Sequence, residues 1–198
     1  MDLTTLERVK RLLPGAAEST EEDPLLASLI TSASAMAAQF LRREVQTAAR
    51  TKTYDWACGR RRLFLPAFPV AASPAIDVRF DTTSAFDSTT VVDADSYRLD
   101  SENGILHFVY WAPHESVQAL RVAWTGGMGT TTETLAAAYP DVVQAVTYQV
   151  VHEFRRRKRL DVGSVNIGGQ SIAMAGEVKL LDHVKALLEP HRRMGFNE

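Results

Sequence analysis

The residues that could do chemistry in this chain are few, and their spacings are incomplete. His152-Glu153 opens an H-E-x-x-H pattern, where histidines four apart on one helix face hold zinc and the glutamate acts as base. Position 156 is arginine, so the second ligand is missing and both residues read as ordinary polar helix positions. Gly126-Gly127-Met128-Gly129 has the glycine density of a phosphate loop but lacks the G-K-[ST] ending and an immediate helix start, which predicts a turn leaving a strand. Cys58, in WACGR, has arginines nearby that could lower its pKa, yet no matched base accompanies it. The five histidines are scattered and no carboxylate pair stands out as acid and base. The expectation is a protein without catalytic activity, metal or cofactor.

One charged motif remains. Arg155, Arg156, Arg157, Lys158 and Arg159 follow one another without a break. Three readings stay open for them: a solvated helix end complementing the helix dipole, an interface with acidic residues of another copy or partner, and contact with DNA phosphates. The third would make the protein a nucleic-acid-binding module. Such a run holds phosphates but reads no sequence without base-contacting groups.

The element that must position this run is a helix over Asp141 to Leu160, entered through Pro140, whose missing N–H costs nothing in a first turn. Val142, Val143, Val146, Val150, Val151 and Phe154 recur at helical spacing and predict one buried face. Leu3, Leu6, Val9, Leu12 and Leu13 predict a short N-terminal helix capped at Asp2, Thr4 or Thr5 and stopped by Pro14-Gly15. After an acidic linker from Glu18 to Glu22, Asp23-Pro24 opens a longer helix. Its stripe of Leu25, Leu26, Leu29, Ile30, Ala33, Ala37, Phe40 and Leu41 is rich in small neighbours, and Arg42 and Arg43 suit its C-terminal dipole.

From Val45 the period becomes alternating. Strands are predicted at Thr47 to Trp56, Leu63 to Leu65, Ile76 to Phe80, Tyr97 to Leu99, Ile105 to Val109 and Ala119 to Trp124, with Asn103-Gly104 as a hairpin turn. Asp81 to Asp95 reads as a long acidic loop. Asp161 to Gly176 is glycine-rich and suits a loose hairpin that orders against a partner; Val178, Leu181, Val184, Leu187 and Leu188 form a last helix stopped by Pro190. The fold class is α+β: a bundle of about four helices from the N- and C-terminal parts, 1–44 and 131–198, with a small antiparallel β sandwich or barrel inserted at 45–130.

Composition narrows function further. The 198 residues carry 24 Asp and Glu against 22 Lys and Arg, too balanced for non-specific nucleic-acid binding to be the default. A lone cysteine excludes an internal disulfide. The N-terminal MDLTTLERVKRLL lacks a continuous apolar core, and no run is expected to reach the ~20 apolar residues of a membrane span. The expectation is a soluble, unprocessed protein with no membrane contact.

The order of these segments is more informative than any one motif. A short helix precedes D-P-L-L-x-x-L-I-x-x-A-x-x-x-A-x-x-F-L-R-R; then come R-L-D-S-E-N-G-I-L-H-F, V-A-W-T-G-G, P-D-V-V-Q-A-V, the R-R-R-K-R run, a glycine-rich loop and L-x-P-H-R-R. This order resembles the head-to-tail adaptor, or connector, proteins of long-tailed bacteriophages and related gene transfer agents. The resemblance implies a structural virion protein acting by binding. It would form a ring of about twelve copies closed by heterologous contacts, beneath the portal protein and carrying a tail-side stopper or tail-terminator protein, with DNA passing non-specifically through the lumen. It would reside in the virion neck, and in the host cytoplasm during assembly.

Two segments are then candidate partner surfaces. Arg192, Arg193, Met194 and Phe196 follow the last helix and combine arginines with apolar anchors, as docking segments do. Val165, Ile167, Ile172 and Met174 supply the glycine-rich segment with its apolar side chains.

Overall fold

The computed structural model describes residues 1–13, 20–57, 59–109, 115–156, 164–167, 170–173 and 179–193. Its helices are α1 (Leu6–Arg11), α2 (Asp23–Leu41), α3 (Thr132–Ala138), α4 (Pro140–Arg156) and α5 (Asp182–Leu188). Its strands are β1 (Ala48–Trp56), β2 (Arg62–Phe64), β3 (Asp77–Phe80), β4 (Tyr97–Asp100), β5 (Ile105–Phe108), β6 (Ser116–Gly126), β7 (Ser164–Ile167) and β8 (Gln170–Ala173). The class is α+β, with five α-helices among the described residues where about four were expected. The chain divides into two compact units, Met1–Arg42 with Thr131–Glu198, and Arg43–Thr130.

In the helical unit α1, α2, α3 and α5 all pack on α4. The predicted valines of α4 are buried, but the buried face is wider than the apolar pattern, because Thr147 and Gln149 are inside as well. Each has its polar atoms answered. The Thr147 hydroxyl donates to Val143 O at 2.7 Å, which leaves it to accept from the Thr4 hydroxyl at 2.6 Å. Leu181 N–H donates to Gln149 Oε1, while Gln149 Nε2 donates to Lys179 O and Glu153 Oε1, all at 3.1 Å.

Helix α2 buries Leu26, Ile30, Ala33, Ser34, Ala37 and Leu41, so the small residues let α4 approach closely while the larger ones each contribute about 1.5–3 kcal/mol of burial. Leu25, predicted in the stripe, is exposed. By length and composition α2 is apolar enough to span a membrane, contrary to the expectation that no run is; here its apolar stripe is covered by the other helices of its unit. Helix α1 starts at Thr5, whose hydroxyl accepts from Arg8 N–H, and Lys10 in its last turn pairs with Asp23 at 2.5 Å. Its predicted Pro14-Gly15 stop lies outside the described residues, as does Glu18 of the linker.

Helix α3 was not anticipated. Thr131 and Thr134 form a reciprocal capping box at its start and Leu135 anchors it. It ends because Tyr139 precedes Pro140, whose ring disfavours helical geometry at the preceding residue; Tyr139 sits at φ −135, ψ 65. The stretch is therefore two helices meeting at an angle-setting proline.

The β unit has two antiparallel three-stranded sheets, ordered β1-β6-β3 and β2-β5-β4. Trp56, Val78, Leu120, Val122 and Trp124 of the first and Leu63, Leu106 and Phe108 of the second share one apolar cluster. Trp124 Nε1–H, buried there, donates to Ala67 O at 3.0 Å. The predicted β4–β5 turn is present: Gly104 has φ 63, and Asp100 accepts from Asn103 N–H at 3.1 Å and Nδ2 at 2.9 Å. A bulge between Tyr54 and Trp56 of β1 faces Gln118 at φ 50, whose N–H donates to Asp55 at 2.7 Å; β6 thereby reaches back to Ser116, beyond the predicted Ala119.

The acidic loop from Asp81 to Asp95 is organised by its own carboxylates. Asp81 accepts from Thr83 N–H and hydroxyl at 2.7 Å and from Ala85 and Phe86 N–H at 2.9 Å. The Thr83 hydroxyl and these amides hold the Asp81 carboxyl down at about 2, against an ordinary 3.8. A depressed carboxyl stabilises the fold above its unfolded value and ceases to as pH falls through its folded value. The loop should therefore keep its geometry down to pH near 3.8 and lose it towards pH about 2. Amide shifts of Thr83 and Phe86 should titrate near the lower value; a midpoint at 3.8 would show that these bonds do not hold the loop.

Candidate functional site

The catalytic motifs dissolve into structural roles. Glu153, the would-be base, accepts from Gln149 and lies 3.8 Å from Arg156 Nε, the residue standing where a second histidine would be needed. Among the described residues no three of His, Cys, Asp and Glu gather as metal ligands. The glycine turn spends its amides on strand contacts: Gly127 N–H donates to Pro69 O at 3.0 Å and Met128 N–H to Val45 O at 2.7 Å. Helix α3, which begins shortly after it, has its Thr131 and Thr134 amides engaged by the reciprocal capping box. Cys58 lies outside the described residues.

The basic run is only partly described. Arg155 donates to Leu12 O at 3.1 Å and Arg156 faces Glu153; Arg157, Lys158 and Arg159 lie outside the described residues. Leu12 closes α1, and α1 ends beside Asp23, the first residue of α2. Arg155 is therefore at the N-terminal end of α2, whereas Arg42 follows its C-terminal end, about 28 Å away at 1.5 Å per residue. Arg43 belongs to the β unit, with its guanidinium 3.5 Å from the Phe68 ring centroid. Arg42, expected at the C-terminal end of α2, is its C-cap, in a left-handed conformation, φ 52, that ends the helix. Arg155 and Arg42 are therefore not neighbours on the helical unit.

The feature that does gather residues is a groove of about 450 Å³ in the helical unit. Met36, together with Phe40 at the edge of the buried stripe of α2 and Leu180, makes the floor, and Arg42, Lys179, Lys185 and Arg192 supply cations around it. Three attachments fix its second wall. Gln149 holds the chain at 179–181. After α5 and a 3-10 turn over Glu189–His191, His191 Nε2 meets Asp141 Oδ2 at 2.5 Å and its ring stands edge-on to Tyr139. Arg193 N–H then donates to Leu41 O at 2.9 Å, answering a carbonyl that the end of α2 leaves without a helical partner. Arg192 lies with its guanidinium 4.9 Å from the Phe40 ring centroid and 3.2 Å from Glu189.

Two of the predicted C-terminal docking residues, Arg192 and Arg193, thus rest on the helical unit, the chain turning back after Pro190. Met194 and Phe196 lie outside the described residues. Within the glycine-rich segment β7 and β8 pair antiparallel, Val165 opposite Ile172 and Ile167 opposite Gln170; Met174 lies outside the described residues. Sequence reasoning missed Met36, Lys179, Leu180 and Lys185, which become neighbours only when α5 returns to α2. A partial signal was Phe40, a large aromatic at the edge of its helix's stripe. An apolar floor with cations and no nucleophile is equipped to hold a carboxylate-bearing apolar segment.

The fold has relatives among solved structures. A chain in the virion of a native gene transfer agent particle aligns with a TM-score of 0.60 and 20% identity, covering 96% of this chain and 88% of that one. A chain in the neck of the native particle, computed with C12 symmetry, aligns at 0.57 and 18%, covering 100% and 96%. At these identities the likeness is one of fold. No curated protein matches the chain. The sequence itself fits the family model described as head completion protein from residue 2 to residue 194, through both units and every element that frames the groove, and so the chain belongs to the head completion protein family.

Proposed function

We propose that this protein is a head-to-tail adaptor: a ring beneath the portal that joins the capsid to the tail, carries the tail-side stopper or tail-terminator protein, and lets DNA pass through its lumen. The observation that carries this reading is the family match over residues 2–194, and the fold likeness to chains in gene transfer agent necks computed with C12 and C6 symmetry supports a ring. The protein acts by binding rather than catalysis. Balanced charge and dispersed arginines suit a wall past which DNA slides without adhering.

Within this reading Arg193, Met194 and Phe196 dock on the portal, with Arg192 at the base of that segment. Val165, Ile167, Ile172 and Met174 order against neighbouring components, and Arg155 with the rest of its run lies at an interface between copies.

The test is negative-stain imaging of the purified protein mixed with the portal of the same particle. Portal carrying a second ring of density at one end is the expected result. A chain shortened after Arg193 should melt as the full chain does yet fail to co-sediment with portal. Portal left bare by the full chain would overturn the adaptor reading, and wild-type affinity of the shortened chain would remove the docking segment from it.

A further inference from the structure

We propose that the cationic groove receives the acidic loop of a second copy, with Val91 entering over Phe40 and Leu180 while Asp93 and Asp95 meet the surrounding cations. This inference rests on the ring reading and assigns the contact that closes the ring.

The loop is shaped for such insertion. Val91 is 52% exposed and stands in sequence among Asp87, Asp93 and Asp95. Its backbone is already fixed. Asp87 caps the turn at Ser88–Thr90, Asp93 caps the turn at Ala94–Ser96, and buried Val92 donates its N–H to Val78 O at 2.8 Å. Docking would therefore order little chain, which is where much of the cost of association usually lies. Carboxylates engaged as caps keep further lone pairs for charged donors.

The groove offers the complementary set. Arg42 has no acidic partner among the described residues. Lys185 pairs with Asp182, whose side chain is 98% exposed, at 3.0 Å, and Arg192 pairs with Glu189 at 3.2 Å. Exposed pairs three residues apart hold weakly and exchange readily for an incoming carboxylate. Groove and loop are different patches of one chain, so their union is head-to-tail, and repeated rotation closes a ring rather than a two-fold dimer.

The full-length chain tests this in two charge-reversed forms, Arg42→Glu with Lys185→Glu and Asp93→Lys with Asp95→Lys, examined by sedimentation velocity over a concentration series, with and without portal. Each form alone sets like charges in every contact and should associate roughly a hundredfold more weakly than wild type. An equimolar mixture should recover assembly, because alternating copies match at both contacts in a ring of even number; recovery also certifies that both forms fold. Variants that assemble as well as wild type, a mixture that fails to recover, or groove reversals that abolish portal binding while rings persist would each overturn the groove assignment and leave the adaptor reading standing. A wild-type chain that stays monomeric throughout, with portal as well as without, would instead sink the ring reading.

Discussion

Replacing Gly127 by alanine should unfold the β unit at ordinary temperatures or bring it close to doing so. Gly127 has φ +140, and a Cβ there would lie 2.5 Å from Thr47 N and 2.6 Å from the Gln46 carbonyl. Those atoms cannot step aside, since Met128 N–H donates to Val45 O at 2.7 Å and Thr47 N–H to Gly129 O at 2.8 Å, zipping the two segments on either side of the contact. Backbone strain and overpacking together should cost about 3 kcal/mol or more, a fall in Tm of roughly 15 °C for a unit of this size. Gly59→Ala separates the two causes. Gly59 has φ +81 with open space around its would-be Cβ, so only conformational strain acts and the loss should be about 1 kcal/mol. Equal losses for the two variants in calorimetric melts would refute the steric account.

The second large effect belongs to Gln149, which is fully buried in α4. Gln149→Leu keeps the volume but leaves Leu181 N–H and Lys179 O without their partner, which should cost about 2–4 kcal/mol and loosen α5 with the wall of the groove. Gln149→Glu should be worse at neutral pH. It would set a second carboxylate against Glu153, where the amide now donates at 3.1 Å, and the deficit should shrink on acidification as the pair comes to share a proton. Urea midpoints at neutral and mildly acidic pH read both effects. A leucine variant as stable as wild type would mean that packing alone seats α5, and the groove wall would need another explanation.

Much of the architecture was legible in the residues. The valines of α4, the Asp23-Pro24 start of α2, the strand alternation and the Asn103-Gly104 turn each state a local rule that the fold obeys. Legibility failed where two rules met within a few residues. Thr131 to Ala138 has too few large apolar residues to announce a helix, yet its capping box and Leu135 suffice once α4 covers it. Gln149 and Thr147 look like solvent-facing positions until the Lys179–Leu181 backbone and Thr4 arrive as partners. Arg42 reads as a dipole-complementing cation, and its left-handed conformation at the helix end is not announced by its residue type.

By itself the sequence determined four of the five described helices and the six strands of the β unit, the absence of a complete catalytic spacing, and the order of elements that marks the head completion protein family. These are decided locally, because burial periodicity and ligand spacing are properties of neighbours along the chain. The tertiary structure alone decided which polar residues are buried with partners, where Gly127 meets the backbone of Gln46 and Thr47, and that Arg192 lies on Phe40 beside Arg42 and Lys185. Each of those depends on segments far apart in sequence coming within a few ångströms, and no residue type encodes the identity of a neighbour that only folding supplies.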